Sequence, residues 1–166
     1  MKKIILLGTF LFCGILTSNA QKDISKNAIG LRLGSNDGFG VEASYQRLLS
    51  NNKNRLEFDL GWRSNNDWNA VKLVGTYQWT FPIENGFHWY VGPGIGVGNT
   101  SYDYRTPYGR YDDSFTYLVL AGQIGIEYNF DFPLQLSLDF RPEIYLNDDI
   151  REDFGPDFAL GVRYKF

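Results

Sequence analysis

Residues 158–166, the end of the chain, alternate strictly between two characters. Phe158, Leu160, Val162, Tyr164 and Phe166 fall on one face; Ala159, Gly161, Arg163 and Lys165 fall on the other. A period of two is that of a β-strand. A wide apolar face that ends on a terminal aromatic is the pattern of a strand that crosses a bilayer as part of a β-barrel. If the other strands share it, the molecule has a greasy outside and a charged inside, the reverse of a soluble barrel.

Seven more alternating segments precede it, separated by stretches rich in Gly, Asn, Asp, Ser and Pro. Their apolar faces are Ile29, Leu31, Leu33; Phe39, Val41, Ala43, Tyr45; Leu56, Phe58, Leu60, Trp62; and Val71, Leu73, Tyr77, Trp79, Phe81. Further along come Phe87, Trp89, Val91, Ile95, Val97; Leu118, Leu120, Ile124, Ile126, Tyr128, Phe130; and Leu134, Leu136, Leu138, Phe140. Most segments reach the roughly 9–11 residues that a tilted strand needs to cross a bilayer. Eight is an even number, as in bacterial single-chain barrels. There is no helical period of useful length, no repeat and no linker, so the expectation is one all-β domain, an eight-stranded antiparallel up-and-down barrel.

The aromatic residues sort by height. With the chain start placed in the periplasm, Tyr45, Trp79, Phe81, Phe87, Trp89, Tyr128, Phe130, Tyr164 and Phe166 gather at the periplasmic end. Phe39, Trp62, Trp68, Phe115, Tyr117 and Phe158 gather at the other, with aliphatic residues such as Leu73, Leu120 and Val162 between. Two aromatic girdles around an aliphatic belt follow from the partitioning of aromatic rings to the membrane interface. Connections are short on the periplasmic side, whereas residues 99–114 and 147–157 read as long outer loops.

Residues 1–20 read as a segment apart. Lys2 and Lys3 precede an apolar stretch from Ile4 to Leu16, and Ser18, Asn19 and Ala20 end it. This is the form of a secretory signal peptide with cleavage before Gln21, leaving a barrel domain of residues 21–166. The apolar stretch is short for a membrane span. Lipidation at Cys13 would want a small residue before it, and Phe12 stands there. The mature segment then has no cysteine, so a closed hydrogen-bond ladder in lipid, not disulfides, is expected to stabilise it. Losing Lys2 and Lys3 takes the formal charge from −3 to −5, which argues against nucleic acid as a partner.

On these grounds the chain resembles the small eight-stranded outer-membrane barrels of the OmpA/OmpX type, over essentially all of residues 21–166. The resemblance rests on architecture and on the terminal phenylalanine. It implies residence in the outer membrane among lipid and lipopolysaccharide, and insertion by the barrel-assembly machinery. The signal read by that machinery would map onto Phe166, Tyr164 and Val162. Gln21 after the cleavage point and the Asn- and Tyr-rich style resemble the Bacteroidetes lineage.

The inward positions carry Arg32, Arg55, Arg63, Lys72, Arg141, Arg163 and Lys165 against Glu42, Glu57, Asp59, Glu127, Asp139 and Glu143. An eight-stranded barrel is just wide enough for side chains to fill it. Opposite charges in so narrow a lumen are expected to pair, because unpaired buried charge is expensive. The expected result is a plugged barrel; a narrow ion path is the sharper alternative, and a wide aqueous channel needs more strands.

No catalytic, cofactor or metal residue is assigned. The glycines from Gly92 to Gly98 recur every second residue within a strand and do not open a helix as a phosphate loop must. They read as small inward positions, with Pro93 and Pro142 marking bulges. His88 is the one histidine and lies at the periplasmic end, the wrong end for the lipid-modifying enzymes built on similar barrels. The acids Asp112, Asp113, Asp148, Asp149, Glu152, Asp153 and Asp157 lack EF-hand spacing and read as a solvated negative surface. Tyr102, Tyr104, Arg105, Tyr108, Arg110 and Tyr111 are of types that make good contacts, and the two outer loops are the expected contact surface for an envelope complex or surface partner. The function expected is structural or interactive. The alternatives are a lipid-modifying enzyme on the same scaffold, and a soluble lipocalin-like carrier, which would need its apolar face turned inward.

Overall fold

The structure is a computed structural model and describes residues 24–35, 40–49, 54–65, 68–106, 109–146 and 154–166. The expected signal segment, and Phe39 and Tyr108, lie outside the described residues. Among the described residues there are eight strands: β1 Asn27–Gly34, β2 Val41–Leu48, β3 Asn54–Ser64, β4 Trp68–Pro82, β5 Phe87–Thr106, β6 Gly109–Asn129, β7 Leu134–Tyr145 and β8 Phe154–Lys165. Each pairs antiparallel with its sequence neighbour, and β8 returns to β1, so the sheet closes into a barrel in simple up-and-down order. The seam runs from Ala28↔Lys165 to Gly34↔Ala159. The last residue completes it: the Asn27 N–H donates to the Phe166 carbonyl and the Phe166 N–H to the Asn27 carbonyl, both at 3.0 Å.

Closure decides which face of each strand is which. Leu31, Leu60, Leu73, Leu120, Leu138 and Leu160 are all exposed, and so are most other large apolar side chains. A continuous apolar belt of this kind suits hydrocarbon and not water. At the end where the sequence reading places the periplasm, called periplasmic below, the girdle is packed: Phe81 stacks on Trp89 at 4.4 Å, Phe87 meets Tyr128 at 4.6 Å, and Tyr128 meets Phe130 edge-on at 4.6 Å.

The outer end departs from the sequence reading. Trp62 and Phe158 do face outward. Tyr117 instead is buried in a small apolar cluster with Val119 and Tyr145, with Phe115 packed against it, and Trp68 shares the inward parity of Ala70 and Lys72. The room is made by Gly98, whose missing Cβ would collide with the Tyr117 ring. Nor is 99–114 a loop. β5 and β6 stay paired from Phe87↔Tyr128 up to Thr106↔Gly109, which makes that stretch the top of one long hairpin. Likewise β8 begins at Phe154, so the second expected loop loses its last four residues to a strand.

The prolines do not mark bulges. Register is constant on both sides of Pro93, from Thr76↔Gly94 to Trp79↔Val91, and on both sides of Pro142, from Ala121↔Glu143 to Ile124↔Phe140. The ladder is only interrupted there, because proline has no N–H to give. Pro93 pairs with Gly122, and Pro142 with Pro156, so one outward row of the barrel wall carries three prolines.

Candidate functional site: the plugged lumen and the outer hairpin

Inward parity brings one residue in two of every strand into the lumen, and closure turns these into two layers. In the outer layer Arg32 from β1 is the hub. Its Nε and Nη2 donate to Asp139 Oδ1 at 3.0 and 2.6 Å, and its Nη1 donates to Glu42 Oε2 at 2.9 Å and Asp157 Oδ2 at 2.6 Å. Arg141 from β7 is the second hub. It donates to Asp59 Oδ2 at 2.9 Å and to both Glu42 oxygens at 2.7 and 2.8 Å, and its Nε lies 3.0 Å from Glu143 Oε1. Glu143 also receives Lys72 Nζ at 2.7 Å and the Tyr145 hydroxyl at 2.9 Å.

The periplasmic layer is built around Glu57. Arg163 donates to Glu57 Oε1 at 2.5 Å, to Ser44 Oγ at 2.9 Å and to Ser137 Oγ at 2.7 Å. Gln46 and Gln78 donate to Glu57 Oε2 at 2.8 and 2.6 Å. Arg55 pairs with Glu127 at 2.6 Å and lies over the Tyr90 ring, 4.7 Å from its centroid. Glycines make the space: a Cβ at Gly125 would meet Asp139 Cβ at 2.8 Å and would also strike the Tyr90 ring, and one at Gly161 would strike Ser137 and Arg163.

Of the residues placed inward from sequence, Arg32, Glu42, Arg55, Glu57, Asp59, Lys72, Glu127, Asp139, Arg141, Glu143 and Arg163 are buried. Arg63 and Lys165 are only half-buried, since at the strand ends the lumen opens to solvent; the Lys165 ammonium donates to the Phe130 carbonyl at 2.8 Å. Asp157, read as part of a solvated acidic loop, is 1% exposed and accepts from Arg32 and from the Ser35 N–H and hydroxyl. The signal for it was present: Asp157 continues the inward parity of Ala159, Gly161 and Arg163. Asp148, Asp149, Glu152 and Asp153 lie outside the described residues. His88 is buried, opposite Glu127 and 3.4 Å from Asn129 Nδ2. Among the described residues no three His, Cys, Asp or Glu side chains converge as a metal site.

Above the outer layer the sheet changes character. Up to the row Leu73–Val97–Leu118 the outward face is apolar. One row higher, Asn99 Nδ2 donates to Thr116 Oγ1 at 3.0 Å, and above that the outward row is Asn69–Ser101–Ser114. On the inner face of the same rows stand Trp68, Tyr102 and Phe115. Tyr102, Phe115, Tyr117 and Tyr145 form a ladder of rings at 5.9, 6.3 and 5.6 Å. Tyr102, at the top, is 37% exposed. Tyr104↔Tyr111 and Arg105↔Arg110 pair higher still along the hairpin.

A closed eight-stranded antiparallel barrel, apolar outside and ion-paired inside, is the form of a small outer-membrane protein. Residues 8–166 match the family model of the outer membrane protein beta-barrel domain, and the chain belongs to that family. It is therefore an outer-membrane β-barrel protein. Its fold is similar to that of Neisserial surface protein A (14% identity, 84% of this chain and 94% of that one, TM-score 0.59). It is also similar to outer membrane protein H of P. aeruginosa (15%, 86% and 100%, TM-score 0.62) and to the attachment invasion locus protein Ail of Yersinia pestis (18%, 86% and 97%, TM-score 0.57). At these identities the likeness is one of fold. None of the curated proteins matches the chain.

Proposed function

We propose that this barrel has a structural or interaction role and no chemistry of its own. Its lumen is plugged by its own ion pairs, and its specific contacts are made by the outer part of the β5–β6 hairpin. The observation that carries this reading is the reversal of face polarity along that hairpin. Below the row Val71–Asn99–Thr116 the sheet is built for lipid; above it, polar residues face out and aromatic ones face in. A stretch of sheet kept paired beyond the apolar belt, with rings such as Tyr102 on it, is a rigid surface of the kind that partners bind. The surroundings in this reading are outer-membrane lipid and lipopolysaccharide. The protein reaches them after export with residues 1–20 removed and insertion guided by the Phe166 strand. The half-exposed positions 63 and 165 lie at the two rims and leave the plug intact.

The test is a photoreactive residue in place of Tyr102 in intact cells. A discrete cross-linked species that is lost when residues 103–112 are replaced by a two-residue turn supports the reading. A barrel that stays uncross-linked, or whose cross-links survive the shortened hairpin, overturns it.

A further inference from the structure

Among the described residues the fully buried charges of the lumen do not balance. Seven acidic side chains are buried with five Arg and Lys side chains, and Arg63 and Lys165 are only half-buried at the rims. The periplasmic layer is even, Glu57 and Glu127 against Arg55 and Arg163. The excess of two lies in the outer layer, where Arg32, Lys72 and Arg141 serve Glu42, Asp59, Asp139, Glu143 and Asp157. Two uncompensated anions inside a narrow, lipid-walled lumen are too costly to keep. A metal ion does not fit, because guanidinium groups stand between the carboxylates and no metal cluster forms among the described residues.

Hydrogen bonding shows which acids are least served. Glu42 and Glu143 use both oxygens on cations, and Asp157 takes Arg32 and Ser35. Asp59 takes only Arg141, through Oδ2; its Oδ1 is buried with no partner. The neighbours of Asp59 in its row are Val74, which has no donor, and Ser44, whose hydroxyl already donates to Glu57. Asp139 has Arg32 on Oδ1, but its Oδ2 meets only the Tyr90 hydroxyl at 3.4 Å. We propose that the outer layer of the lumen is a proton-binding site that holds two protons in the folded barrel at neutral pH, one on Asp59 and one on Asp139.

The charged and titratable groups around the pair are Arg32 on β1, Glu42 on β2, Glu57 on β3, Lys72 on β4 and Tyr90 on β5. Glu127 and Tyr117 face in from β6, Arg141 and Glu143 from β7, and Asp157 and Arg163 from β8. These carboxylates have a cation within ion-pair distance, as do Asp59 and Asp139; what sets Asp59 and Asp139 apart is a second oxygen with no partner, or with only the Tyr90 hydroxyl at 3.4 Å.

The test is reversible urea unfolding of the full-length barrel in lipid vesicles between pH 5 and 8. A folded state that holds two more protons than the unfolded chain is most stable near pH 5 and loses stability as pH rises. Its unfolding constant should increase about 100-fold per pH unit, and about 10-fold in Asp59→Asn, which removes one of the two sites. The difference in slope between the two proteins isolates Asp59. A flat or rising stability above pH 5, or a slope unchanged in Asp59→Asn, overturns the proposal. So does a pH-independent stability that follows the concentration of sodium, potassium or magnesium, since the counter-charge is then a cation. Should Asp59→Asn not refold, the infrared band of a protonated carboxyl group in the wild-type barrel at pH 7 decides: present supports, absent overturns.

Discussion

Arg32 touches three acids on three other strands, Glu42, Asp139 and Asp157, and so ties β1, β2, β7 and β8 together from inside. Replacing it with Ala would take Asp157's nearest cation, one of the two guanidinium partners of Glu42, and both arginine bonds of Asp139 in a closed lumen. Breaking a buried pair by removing one partner costs about 3–5 kcal/mol, because the charge left behind is uncompensated. Arg32→Ala should therefore lower the unfolding free energy in vesicles by about that amount. A loss below about 1 kcal/mol would mean that water replaces the arginine and that the plug is looser than its distances imply.

At the scale of the element, the β5–β6 hairpin crosses two solvents. Leu120 lies in the apolar belt next to the proline row, two rows below Thr116, where the outward face has turned polar. An arginine on the lipid face costs about 2–4 kcal/mol near the midplane and about 0–1 near the interface. Leu120→Arg should accordingly destabilise the barrel strongly and Thr116→Arg hardly at all, both read by the same unfolding assay. Equal penalties would mean that the membrane boundary is not where the polarity reverses. The proline row shows the cost that this wall tolerates, since a strand without an N–H at Pro93 or Pro142 forgoes a ladder bond in a medium that offers no substitute.

Across the whole molecule the barrel is closed by its two ends. The Phe166 backbone makes both terminal hydrogen bonds to Asn27, and its side chain is exposed at the periplasmic rim. Deleting Phe166 should reduce the heat-modifiable form of the protein in the outer-membrane fraction, because both the closing pair and the aromatic end of the strand go together. Full heat-modifiability and normal yield in the truncated chain would show that closure is complete without it.

Much of this was legible in the linear chain because a strand's two faces are set by parity alone. The alternation in residues 158–166 and its seven echoes determined the strand count, the lipid-facing belt and eleven of the buried charges. Parity also held the answer for Asp157, which a composition-based reading of an acidic loop obscured. What the tertiary structure alone decided lies at the outer end and at the prolines. Parity already puts Tyr117 on the inward face, with Val119 and Ala121; that its ring fits there depends on the space left across the strand pair by Gly98, which no single strand encodes. Whether Pro93 displaces the register depends on the partner strand, and β4 keeps step across it. Which arginine serves which carboxylate depends on closure, because Arg32 and Asp139 stand 107 residues apart in the chain and meet only when β8 returns to β1.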